Sequence, residues 1–120
     1  MHPGVDFNSI HPAFTDPVHD AQSTFRALLE AMSHPTRIVS LNLDLRAPAP
    51  LHKAAAAICL TLLDFETQLW TDLDVDAAAL SWLRFHCGCP LVSQAGRADF
   101  ALAIDCHKML RIEHFHPGLQ

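Results

Sequence analysis

Three patterns in the sequence predict an α/β domain, with helices in a layered α-β-α arrangement around a small mixed sheet. Residues 16–32 repeat apolar side chains at three- and four-residue spacings, the period of a helix. Residues 37–45 switch to alternation, the period of a strand. Past residue 50 the two kinds of segment go on alternating, the order expected of an α/β chain. The length of 120 residues is enough for one domain with a real core.

The first dozen residues hold two histidines, a glycine and two prolines without any period. Residues 1–13 therefore read as a flexible arm, and residues 14–120 as a single domain. The stretch "TDPVHDAQSTFRALLEAMSHP" is the clearest helix. Asp16 suits the N-cap, Pro17 the first helical position, and Asp20 adds a carboxylate to the first turn. Val18, Ala21, Phe25, Leu28, Leu29 and Met32 form one apolar stripe, and Pro35 stops the helix. In "RIVSLNLDL", Val39, Leu41, Leu43 and Leu45 point to one side and Ser40, Asn42 and Asp44 to the other.

After the proline-stiffened loop "RAPAP", "LHKAAAAICLTLLD" is apolar nearly all round, which predicts a buried helix. "TQLWT" is a short strand. A helix capped by Asp74 or Asp76 then runs to about His86, with Leu80 and Leu83 inward and Trp82 partly so. "PLVS" and "DFALAI" are two further strands, and the tail from Cys106 is helical until Pro117 and Gly118 break it.

Composition excludes several function classes. A net charge of −5 with scattered basic residues argues against a nonspecific nucleic-acid grip. No polybasic run faces an anionic membrane, and "AAAAICLTLL", bounded by His52, Lys53 and Asp64, is too short to span a bilayer. The start "MHPGVDFNSI" lacks the basic and apolar regions of a signal peptide. Four cysteines in such a chain are expected as reduced thiols in a cytoplasmic protein.

No GxGxxG, P-loop, GxSxG or HExxH pattern occurs. Lys53 and Lys108 could each form a Schiff base in principle, but nothing singles one out, and Asp72, Asp74 and Asp76 read as a solvated acidic loop. The conspicuous cluster is "LRFHCGCPLVSQ" at residues 83–94. His86, Cys87, Cys89 and Cys106, with His107 adjacent, have the ligand types of a zinc site but not a common finger or ribbon spacing. A helix stop fits better: Gly88 can take the left-handed cap conformation, Pro90 blocks continuation, and Cys89 folds back on Leu83 as a small apolar residue. Arg84 and His86 then sit in the last turn, where positive charge complements the helix dipole.

Two long blocks resemble one family. "DPVHDAQSTFRALLEAMSHPTRIVSL" is similar to the N-terminal block of the PhnH family, a subunit of the bacterial carbon–phosphorus lyase core complex. "LTLLDFETQLW" and "LRFHCGCPLVSQAGRADFALA" follow in the matching order, so the resemblance covers about Phe14 to Ala103. It is carried by Asp20-Ala21-Gln22, Phe25-Arg26, Leu29, Ala31-Met32, Leu83-Arg84-Phe85-His86 and Pro90-Leu91-Val92-Ser93-Gln94.

The resemblance implies a role in phosphonate catabolism, with PhnG, PhnI and PhnJ as partner subunits. The family's complex joins a phosphonate such as methylphosphonate to the ribose of ATP with loss of adenine. It then prepares the product for carbon–phosphorus cleavage. PhnH itself is implied to be a homodimer whose α/β fold is similar to PLP-dependent transferases without their cofactor. Catalysis is implied to lie mainly with the partners. Thr36 stands where the family usually has glycine, so that turn is expected to be reshaped. The chain is also shorter than the family, and is expected to be an N-terminal portion of the fold.

These observations lead to the expectation of a structural or assembly subunit with no catalytic centre, cofactor or metal of its own. Arg26, Arg84, His86, Ser93 and Gln94 are the candidate partner or ligand contacts. Arg26 lies on the first helix, where a guanidinium could bridge to a carboxylate or phosphate or simply be solvated. Ser93 and Gln94 follow a buried strand, at the end of a sheet where ligands meet α/β folds, or else only cap a turn. The competing reading is a stand-alone thiol or zinc protein using His86, Cys87, Cys89 and Cys106.

Overall fold

The computed structural model describes residues 12–105, 107 and 112–115. The proposed arm at 1–13 and the helical tail fall largely outside them. Helix α1 (Pro17–Ser33) starts as its sequence dictates. Asp16 Oδ1 accepts the His19 amide at 3.2 Å, and Asp20 Oδ2 accepts the Asp16 amide at 3.1 Å, so each carboxylate satisfies an otherwise unpaired N–H of the first turn. At the other end His34 N donates to Glu30 O at 3.1 Å and Arg37 pairs with Glu30 at 3.1 Å. Arg37 N then closes the turn through Pro35 and Thr36 by donating to His34 O at 2.8 Å.

The inward face of α1 differs from the expected stripe. Thr24 is its buried residue, Ala21 and Leu28 are half-buried, and Val18, Phe25, Leu29 and Met32 are exposed. The reason is packing: α1 lies on α2 (Lys53–Leu62), whose buried residues are Ala56, Ala57 and Cys59. Small side chains permit close approach of the two helices, and apolar period alone does not say which face a neighbour covers. The Thr24 hydroxyl is enclosed without a hydrogen-bond partner among the described residues.

α2 also packs against α3 (Ala78–Cys87), so it lies between two helices, as its nearly all-round apolar surface predicts. α3 has no side-chain cap: Ala77 occupies the N-cap, and neither Asp74 nor Asp76 bonds the first turn. Instead Asp74 O accepts the Ala77 amide at 3.0 Å, closing a turn ahead of the helix. Trp82, expected to be partly inward, is 1% exposed and is the largest fully buried side chain. It joins Leu83, Ala79, Leu63, Leu69 and Cys89 in the core.

Strand β1 (Leu69–Thr71) pairs in parallel with β2 (Phe100–Leu102), Leu69 facing Phe100 and Thr71 facing Leu102. On its other side β1 meets "PLVS" through one parallel bridge, Leu69 to Leu91, with Leu69 N on Pro90 O at 2.9 Å and Val92 N on Leu69 O at 3.0 Å. Every pairing among the described residues is parallel, so the expected mixed sheet is corrected to a small parallel one.

Residues 37–45 form no ladder among the described residues, although they keep the predicted alternation. Val39, Leu41 and Leu43 are half-buried and Leu45 is buried, while Ser40, Asn42 and Asp44 are exposed. The segment is therefore an extended run whose apolar side packs and whose edge lacks a strand. Lys53 holds it to α2 by donating from Nζ to Leu43 O at 3.1 Å. No helix among the described residues is long and apolar enough to cross a membrane.

Candidate functional site

The 83–94 stretch runs from the end of α3 into the sheet. α3 stops where Gly88 takes φ +66°, ψ +14°, the left-handed conformation, and Gly88 N donates to Arg84 O at 3.1 Å. A Cβ at Gly88 would meet no neighbouring atom, so the requirement for glycine is conformational alone. Gly88→Ala should thus cost about 1–2 kcal/mol of unfolding free energy without altering the core, measurable by urea denaturation.

Arg84 is exposed on the last turn of α3. His86 is half-buried, with its ring 4.9 Å from that of Trp82 and 5.0 Å from that of Phe85, both edge-on. The structure thus ties His86 to aromatic rings, Phe85 being half exposed beside it.

Two cysteines of this turn meet a third that the sequence reading did not connect to them. Cys87 Sγ lies 3.6 Å from the Cys59 carbonyl, to which it donates, and Cys59 and Cys89 are both buried. Burial pushes the Cys59 thiol up to about 11, and Cys89 nearby adds to the rise. Burial likewise pushes Cys87 up to about 12, with Cys89 and Cys59 contributing. Cys89 is also raised by burial, against the opposing pull of its own backbone amide and of Arg84.

These thiols are protonated at neutral pH, which makes them weak nucleophiles and weak metal ligands. In a Cys106→Ser chain these three should react slowly with Ellman's reagent at pH 8 and rapidly once urea unfolds the protein. Fast native labelling of Cys59 or Cys89 would contradict their burial. The sign of the linkage follows, because a thiol holding its proton more tightly when folded stabilises the fold below its unfolded value. That contribution is lost as pH rises from about 9 through about 11 and 12.

For the zinc reading, Cys106 lies outside the described residues. No group of three or more His, Cys, Asp or Glu side chains among the described residues is placed to share a metal ion. His86, Cys87 and Cys89 alone do not form such a set.

Beyond Pro90 the chain crosses the edge of β1, and Ser93 and Gln94 emerge exposed at the end of that crossing. A 3-10 turn (Ala95–Arg97) follows and leads to β2. Arg26 is exposed on α1, with α2 packed against both α1 and α3. The structure therefore gathers Arg84 and His86 on one turn and Ser93 and Gln94 on another. No hydrogen bond or ion pair among the described residues joins Arg26, Arg84, Ser93 and Gln94 to one another.

Carboxylates pin the sheet in a way the acidic-loop reading missed. Asp72, at the end of β1, accepts the amides of Ile104 at 2.8 Å and Asp105 at 3.0 Å. Asp99, ahead of β2, accepts Gln68 N at 2.9 Å. Asp72 is thus a structural clamp that its neighbours Asp74 and Asp76, both exposed, do not share. Both contacts span more than thirty residues, so no local pattern announced them.

The comparison that decides the family is a match of residues 12–120 to the PhnH model, described as a bacterial phosphonate metabolism protein. The chain belongs to the PhnH family. A curated PhnH relative is 37% identical over 90 residues, "Alpha-D-ribose 1-methylphosphonate 5-triphosphate synthase subunit PhnH" of Rhizobium meliloti (strain 1021). That alignment takes in 74% of this chain and 45% of the relative. The chain thus spans less than half the length of the PhnH protein it matches.

Proposed function

We propose that the chain acts as a PhnH-type subunit of the carbon–phosphorus lyase core in phosphonate catabolism, within an alpha-D-ribose 1-methylphosphonate 5-triphosphate synthase. The observation that carries this reading is the family match over residues 12–120. Its role is structural or assembly-directed, without a catalytic centre or cofactor of its own, in the cytoplasm. Its partners are PhnG, PhnI and PhnJ and a second copy of itself. The chain is one unit of the family's α/β fold, the N-terminal portion of a cofactor-free architecture of the PLP-dependent-transferase type.

Uncovered apolar surface supports an assembly role. An open groove of about 180 Å³ runs between α2 and the sheet, lined by Ile58, Leu62, Leu69, Phe100 and Leu102, and Phe100 is 43% exposed. Such surface is what a larger assembly covers. Arg26, Arg84, His86, Ser93 and Gln94 are the contacts proposed for partners or ligand, since four of them are exposed and His86 is half-buried.

The test is co-expression of the tagged chain with PhnG, PhnI and PhnJ from one organism, followed by affinity capture. Retention of at least one subunit through gel filtration is the expected result. Recovery of the chain free of all three would overturn the reading.

A further inference from the structure

A second concavity lies away from the α2 groove, where the entry to α1 passes the end of the 37–45 run. It holds about 410 Å³ and is lined by Pro12, Ala13, Phe14, Thr15, Asp44 and Arg46. That volume falls in the range of small-molecule sites. Its apolar wall is anchored, because Ala13 and Phe14 are half-buried and pack on the core. Its charged wall is anchored too. Leu45 is 6% exposed, so the alternation of an extended chain turns both its neighbours, Asp44 and Arg46, outward on one side.

Asp44 and Arg46 carry opposite charges, with backbones about 6–7 Å apart. Among the described residues neither side chain makes an ion pair or hydrogen bond, even with the other. Exposed Thr15 adds a hydroxyl, while the carboxylate of the next residue, Asp16, is committed to the His19 amide. The concavity thus offers one cation and one anion, held apart and both unpaired.

We propose that this concavity binds a small zwitterion, with a tetrahedral phosphorus oxyanion on Arg46 and an ammonium, a short alkyl chain away, on Asp44. The guanidinium fork matches the oxygens of such an oxyanion. The carboxylate beside it penalises a plain anion and attracts the ammonium. A chain of net charge −5 repels anions that lack such a local cation. The choice of phosphorus rests on the functional reading above, whereas the two opposed charges do not. Both groups are exposed to water, so a roughly millimolar dissociation constant is expected.

Titration of the full chain with aminoethylphosphonate, followed by proton–nitrogen correlation NMR, tests the site. Saturable shifts centred on residues 12–15 and 44–46 are expected, and their absence overturns the proposal. Methylphosphonate, which lacks the ammonium, and β-alanine, which lacks phosphorus, should each bind roughly three- to fivefold more weakly. Equal binding of either overturns the assignment. Phosphoethanolamine distinguishes the source of the oxyanion: comparable binding extends the site to phosphate esters, weaker binding restricts it to phosphonates, and both keep the zwitterion. Arg46→Gln should weaken aminoethylphosphonate by roughly three- to fivefold with an unchanged circular dichroism spectrum, since Arg46 is exposed. Asp44→Asn should weaken the zwitterion yet tighten methylphosphonate, a crossing that a purely structural role would not produce. Arg97→Gln, at an exposed cation outside this lining, should change neither. Full binding in Arg46→Gln overturns the site. Because the chain is titrated alone, a failed subunit capture leaves this result standing, and failure here leaves the subunit reading standing.

Discussion

Trp82→Ala should lower the unfolding free energy by about 3–5 kcal/mol, the largest effect of any single truncation in this chain. Trp82 is 1% exposed and sits in the cluster that joins α2, α3 and β1, beside Leu83, Ala79, Leu69 and Cys89. Removing the indole forfeits the burial of a large apolar surface and leaves a void that the small residues around it cannot fill. Domains of this size are stable by only about 5–15 kcal/mol, so the variant should melt roughly 10–20 °C lower. Thermal and urea denaturation followed by far-ultraviolet circular dichroism gives the number. Trp70→Ala is the internal control, since Trp70 is half-buried and makes its edge-on contact with Phe115, 5.5 Å away, near the end of the described chain. A loss below about 1 kcal/mol at residue 82 would contradict its place in the core.

Asp72→Ala should cost about 2–3 kcal/mol by a different route. Its carboxylate accepts two backbone amides, from Ile104 and Asp105, and hydrogen bonds to a charged group each contribute more than neutral ones. Truncation leaves both amides without that acceptor and releases the segment that follows β2. Asp74→Ala, on an exposed carboxylate two residues away, should change stability by less than about 0.5 kcal/mol. Equal effects at the two positions would refute the clamp. Asp72→Asn retains one acceptor oxygen and should fall between them.

Features set by neighbouring residues were legible in the sequence. The start of α1 at Asp16-Pro17 and the stop of α3 at Gly88 follow from backbone chemistry within a few positions, and both stand in the structure. Features set by distant residues were not. Periodicity found the stripe on α1, yet its buried residue is Thr24, because the covered face is set by the packing of α1 on α2. The thiols of Cys87 and Cys89 stood out in the chain, while Cys59, almost thirty residues earlier, completes the group only through the packing of α2 on α3. Asp72 and Asp99 likewise gain their partners only when β1 and β2 align. Of the candidate contacts, Arg84 and His86 share a turn as their spacing requires, whereas the placement of Arg26 depended on helix packing.

The run 37–45 carries a consequence for hydrogen exchange. Its side chains alternate in burial, but among the described residues no ladder shields its amides. Leu69 and Val92 N–H groups, locked in parallel bonds, should keep their protons far longer in deuterated solvent than those of Ser40 and Asn42. Slowing of the Ser40 and Asn42 exchange on assembly would mark the arrival of a neighbouring strand at this open edge, one amide at a time.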